Sequence, residues 1–289
     1  MKRTLALLTP LVAAIAIVAS GCGASDVTND AVAKAAAATT SKHGAHVDMT
    51  LVMSSDALPG PIHMTASGEM DQVSKQANID LDMSQLAGAA GVKSSDFKIT
   101  ELLNGTVIYM RFPFLDGKLP DGKKWMKIDL AKAGNAAGLN LGAALQPGQD
   151  PGQQLGYLRT VSNAKKVGTE TIDGVETTHY HGIAQLDRYP QLLPPSQRAA
   201  ARAAIQKLIK ATGTSSYPMD AWVDKDNLIR RMHLTMTMNI PQASQKMTMD
   251  ITENLSDFGT QVHATPPPDR DVFDATKLTG SALQQTLGG

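Results

Sequence analysis

Residues 228–255 decide how this chain folds: LIRRMHLTMTMNI at 228–240, a PQAS connector, then QKMTMDITENL at 245–255. In the first segment Met232, Leu234, Met236, Met238 and Ile240 alternate with His233, Thr235, Thr237 and Asn239. In the second, Met247, Met249 and Ile251 alternate with Thr248, Asp250 and Thr252. Side chains along a strand point to opposite faces in turn, so a period of two marks a sheet with one apolar and one polar face. Two such segments joined by a short connector predict an antiparallel pair.

The same period recurs on either side. Val47, Met49, Leu51 and Met53 face one way and His46, Asp48, Thr50 and Ser54 the other, with Val52 the exception. After Pro59-Gly60-Pro61, Ile62, Met64, Ala66, Gly68 and Met70 form a second apolar row, and Ala77, Ile79, Leu81 and Met83 a third. Asn104-Gly105, between strands at 97–103 and 106–112, is a two-residue hairpin signal, and Asp173-Gly174 plays that part between 166–172 and 175–186. Shorter strands are expected at 125–130 and 217–223, the latter turning at 224–227. Helices are expected at 31–39, started by Thr28-Asn29-Asp30 and stopped by Gly44, and at 197–211 after Pro194-Pro195. Residues 131–152 read as loop with short helix and 153–161 as helical. The sum is one α+β domain at 29–268, an antiparallel sheet of about ten or eleven strands with helices on one face. Residues 269–289, beyond Pro266-Pro267-Pro268, read as a polar C-terminal tail.

The N-terminus has a different character. Lys2 and Arg3 precede an apolar stretch at 5–19, broken only by Thr9 and Pro10. That is shorter than the ~20 residues a membrane-spanning helix needs, and it has the flanks of an export signal. It runs into Ala19-Ser20-Gly21-Cys22, which resembles the lipobox of bacterial lipoproteins. The resemblance implies a signal peptide at 1–21, a diacylglyceryl group on Cys22 and a lipidated tether at 22–28. Cys22 is the chain's one cysteine, so no intramolecular disulfide can form. One acyl chain binds a membrane only marginally, at ~10⁴ M⁻¹, and two make a stable anchor. The expected location is therefore the outer face of the cell membrane, reached through lipoprotein-processing enzymes.

The apolar rows are rich in methionine. The chain has 14 Met against 5 Phe, 5 Tyr and 2 Trp, so flexible thioethers outnumber rings. Methionine fills irregular space and specifies shape poorly. Such a face suits variable alkyl chains, each buried CH₂ adding ~0.8 kcal/mol. The alternation makes Met49, Leu51, Met53, Met64, Met70, Ile79, Leu81, Met83, Met232, Leu234, Met236, Met238, Met247, Met249 and Ile251 candidate lining of a hydrophobic cavity. The alternative is a filled core in a non-catalytic envelope interaction or sensor lipoprotein.

Other chemistry is thin. The 27 basic and 27 acidic side chains balance, which leaves no net field to gather nucleic acid, and no nucleic-acid partner is expected. His179 and His181 share one strand face, but two ligands are too few for a metal site. Asp80 and Asp82 read as solvated outward residues. Arg198, Arg202, Lys207 and Lys210 read as the solvated face of a helix, with lipid-headgroup recognition a second reading. No nucleophile elbow, phosphate loop, zinc-protease or dinucleotide motif occurs, so no enzyme and no cofactor are expected.

The order of features resembles one family. A lipobox, a helix and a meander are followed by Gly168 to Gly174 with Thr178–Tyr180, by Tyr217-Pro218-Met219-Asp220-Ala221-Trp222-Val223-Asp224 running on to Arg231, and by Leu255 to Pro268 with Asp257-Phe258-Gly259. This resembles the LppX/LprA/LprF/LprG lipoproteins, related in fold to the carrier LolA, loosely over residues 28–275. The resemblance implies a curved half-barrel with helices covering its concave face. It also implies a lipid or glycolipid held between sheet and helices, a role in lipid carriage in the cell envelope, and an envelope transporter as partner.

Overall fold

A computed structural model describes residues 31–56, 58, 60–87, 93–136, 161–193, 195–240 and 245–281. Residues 1–30, with Cys22, lie outside these, as do most of 131–152, residues 153–160 and the last residues of the tail. The strands are β1 (Ala45–Ser55), β2 (Ile62–Asp71), β3 (Gln76–Asp82), β4 (Lys98–Asn104), β5 (Val107–Arg111) and β6 (Trp125–Asp129), then β7 (Val161–Ile172), β8 (Val175–Gln185), β9 (Ser216–Asp224), β10 (Ile229–Ile240), β11 (Gln245–Ser256) and β12 (Val272–Asp274). The helices used below are α1 (Ala31–Thr40), α2 (Leu130–Ala136) and α3 (Pro195–Thr212).

All twelve strands join one curved, unclosed sheet in the order β12-β6-β5-β4-β3-β2-β1-β11-β10-β9-β8-β7. It consists of two meanders, β1–β6 and β7–β11, which meet where β1 pairs antiparallel with β11. Every pairing is antiparallel except β12 with β6.

The turns follow local chemistry. Asp173 and Gly174 both have positive φ, +48° and +81°, as a two-residue turn between right-twisted strands requires. In the β4–β5 hairpin Asn104 pairs with Val107, so the turn is Gly105-Thr106, one residue on from the expected centre. Gly105 takes φ +65° there, and Asn104 Nδ2 instead donates to the Ala264 carbonyl at 3.0 Å. At the β9–β10 turn, Asp224 Oδ1 accepts from the backbone N–H groups of Asp226 and Leu228, at 2.8 and 2.9 Å.

The structure departs from the sequence reading in two strands. β7 begins at Val161, inside the stretch read as helical, and its register shifts twice, between Ser162 and Lys165 and between Lys166 and Gly168. Each bulge resets the alternation, which erases the period of two from the sequence. β12 brings the strand count to twelve. It is three residues long, too short for a period to show, yet Val272 and Ala275 are buried.

Candidate functional site

The register lines up the apolar rows. Across β2, β1, β11 and β10 run the rungs Ile62–Met53–Met249–Met236, Met64–Leu51–Ile251–Leu234 and Ala66–Met49–Glu253–Met232. Met247 pairs with Met238, Gly68 with Ile79 and Ala66 with Leu81, while Met70 faces Ala77. Fourteen of the fifteen candidate residues therefore occupy one face of the sheet, and Met83 follows directly on β3.

They are filled to different degrees. Met64, Leu81, Met83, Met232 and Met249 are buried. Met49, Leu51, Met53, Met70, Ile79, Leu234, Met236, Met238, Met247 and Ile251 keep partial exposure. Three separate clusters of buried side chains sit on this face. The first joins Val32, Ala35 and Ala36 of α1 to Val47, Ile229, Met232 and Leu255. The backbone N–H of Ile229 donates to Thr39 Oγ1 at 2.8 Å and ties α1 to the start of β10. The second cluster joins Met64, Leu81 and Met83 to Phe97 and Ile99, and the third joins Met110 and Ile128 to Ala133 and Ala275. Among the described residues none of the three takes in Met49, Met236, Met238, Met247 or Ile251.

Two carboxyls share this face. Glu253 lies opposite Met49 and Met232, and Glu101 lies opposite Ile79 and Met110. Burial pushes each up to about 7, with no neighbouring charge opposing it. Neither makes a hydrogen bond or ion pair to a described residue. The alternation of Met247, Met249 and Ile251 continues to Glu253, so parity is the signal that reveals it; Glu101 follows likewise from Ile99.

The opposite face is polar. Asp80 Oδ1 accepts from Thr100 at 2.9 Å, and Lys98 lies 3.6 Å from Asp82. Asp220 Oδ1 bonds His179 Nε2 at 2.8 Å and His181 Nδ1 at 2.9 Å, and His233 approaches its other oxygen at 3.8 Å. Burial works to raise the Asp220 carboxyl, but the hydrogen bonds from His179 and His181 outweigh it and hold it below the usual carboxylate range. Glu170 takes the remaining ring nitrogen of His179 at 2.9 Å, and Trp222 stacks on that ring at 4.3 Å. Sequence spacing does not show this network, because Asp220 and His233 come from other strands. Among the described residues no group of three or more His, Cys, Asp and Glu side chains is arranged to hold a metal ion. Arg198, Arg202, Lys207 and Lys210 are all exposed on α3. No described helix is long and apolar enough to cross a membrane.

No family model matches the chain. It is 30% identical over 163 residues to an uncharacterized 31.2 kDa protein of the rplA–rplJ intergenic region of Streptomyces griseus, and the match covers 54% of this chain. The chain spans about half the length of that curated relative, 50% of it. The solved lipoprotein LppX of Mycobacterium tuberculosis is similar at 15% identity and a TM-score of 0.45, covering 81% of this chain and 96% of its own. LprF of Mycobacterium bovis is similar at 15% identity and a TM-score of 0.40, covering 82% and 95%. A LolA-superfamily protein of Nitrosomonas europaea gives 7% identity and a TM-score of 0.28 over 82% of this chain and 93% of its own.

Proposed function

We propose that this chain is an exported, non-catalytic lipoprotein, acylated on Cys22, that carries a lipid or other hydrophobic ligand between the apolar face of its sheet and its helices. The supporting observation is the state of that face. Met236, Met238, Met247 and Ile251 lie on interior strands of a twelve-stranded sheet, yet all keep partial exposure. Apolar surface left in water in the middle of a fold is costly, and a ligand's alkyl chains would cover it at ~25 cal/mol per Å². Flexible thioethers adapt to chains of different length and branching. α1 covers the Val47 end of the face, and α3, whose neighbours include β10, is the element that would close over the remainder. Lipid bound there would be handed on within the envelope, with a transporter as partner.

Native mass spectrometry of the full-length protein, extracted in mild detergent and incubated with vesicles of diacyl lipid, tests the carrier reading. Bound lipid at a stoichiometry near one per chain is expected; bare protein at every lipid concentration would overturn it. The anchor has its own test. Cys22→Ser should leave uncleaved precursor or release the protein from the membrane fraction, and a cleaved product that still needs detergent for extraction would contradict acylation.

A further inference from the structure

Glu101 and Glu253 are out of place on an otherwise apolar face. Glu253 stands at the edge of the first buried cluster and Glu101 between the second and the third. Glu253 follows Leu255 of the filled end by one rung and precedes Ile251 of the half-exposed end. Glu101 is flanked on its face by Ile99 of the second cluster and paired with Met110 of the third. Glu253 is 8% exposed and has no protein partner among the described residues. A buried polar group normally finds a hydrogen-bond partner, and one that does not costs stability until something supplies it.

We infer that these two carboxyls are polar anchor points for the ligand, and that they select lipids with uncharged hydroxyl or ester groups over lipids with anionic headgroups. The inference rests on the proposed lipid-carrier reading and names its ligand class. A protonated carboxyl donates one hydrogen bond and accepts others, which matches hydroxyl and ester oxygens. Desolvation raises both groups to about 7, so that at neutral pH each spends about half its time protonated. A phosphate at the same depth would find no counter-charge. Among the described residues of β4, β3, β2, β1 and β11, and of β10 from Met232 onward, this face carries no Lys, Arg or His. Buried charge without a partner is strongly unfavourable.

The test uses the full-length protein and two probes with identical acyl chains, dioleoylglycerol and dioleoylphosphatidylglycerol, at equal amounts in one set of vesicles. Native mass spectrometry should show dioleoylglycerol retained over dioleoylphosphatidylglycerol by about tenfold or more, the scale of one unmatched polar contact. Glu253→Leu and Glu101→Leu, which keep the face apolar and so favour folding, should each reduce that preference. Glu253→Gln, which keeps a donor and an acceptor, should largely preserve it. Equal retention of both lipids, or a preference that survives both Leu substitutions, would sink the inference while leaving the carrier reading intact. Retention of neither lipid would sink the carrier reading itself, and this inference with it.

Discussion

At the end of the face beneath α1, Val32, Ala35, Val47, Ile229 and Leu255 are each at most 5% exposed, while at the other end Met236, Met238 and Met247 all keep solvent contact. The same strands supply both ends, so the difference lies in what covers them. A helix of small residues, Ala31–Thr40, presses its Val32, Ala35 and Ala36 onto branched side chains below. Small facing branched side chains interdigitate well and give one arrangement. The methionine end has no such partner in the three clusters, and its side chains are of the kind that repack at little cost. The comparison teaches that a single sheet face can be rigid core along one margin and adaptable surface along the other, with residue type marking the boundary.

The comparison can be broken by substitution. Ile229→Ala, at a fully buried position of the filled end, should cost roughly 3 kcal/mol, read as a lower urea midpoint, because the cavity left behind adds to the lost transfer energy. A loss below ~1 kcal/mol would show that this end is not tightly packed. The boundary itself should respond to pH. Glu253 has a normal value of 4.5 and is raised to about 7 by burial, so the folded state holds its proton more tightly than the unfolded chain. Its favourable contribution is fully present below pH 4.5 and is lost as pH rises through about 7, with a ceiling of roughly 3 kcal/mol. The residues opposite it, Met49 and Met232, carry no charge to offset this. Urea midpoints measured from pH 5 to 8.5 should fall with rising pH, and Glu253→Gln should reduce the slope without abolishing it, since Glu101 is raised in the same way; an unchanged slope in that variant would assign it elsewhere. The smallest effect is expected at the open end. Met236→Ala should cost less than ~1 kcal/mol, since a half-exposed side chain leaves no closed void, but it should weaken lipid retention. A loss as large as that of Ile229→Ala would erase the distinction between the two ends.

Much of this architecture is written in residue alternation. β1, β2, β3, β10 and β11 follow from a strict period of two, and the Asp173-Gly174 turn from its need for positive φ. The bulged start of β7 and the three-residue β12 do not, because one breaks the period and the other is too short to have one. That fourteen of the fifteen candidate residues share one face of the sheet follows from parity alone. Which of its members stay half-exposed does not follow, because that depends on where α1 and the loops come to rest. The Asp220 network is hidden for a related reason: His179, Asp220 and His233 become neighbours only when β8, β9 and β10 pair.

The junction of the two meanders bears on how the protein is made. Thr50 pairs with Thr252, about 200 residues further along the chain, whereas all other antiparallel pairings join strands consecutive in sequence. Contacts so distant in sequence close slowly, because a large loop entropy must first be overcome. During synthesis β1 is therefore a naked edge, with its hydrogen-bonding groups unpaired on one side, until nearly the whole polypeptide has emerged. An unprotected strand edge beside a methionine-rich surface invites mispairing with other chains.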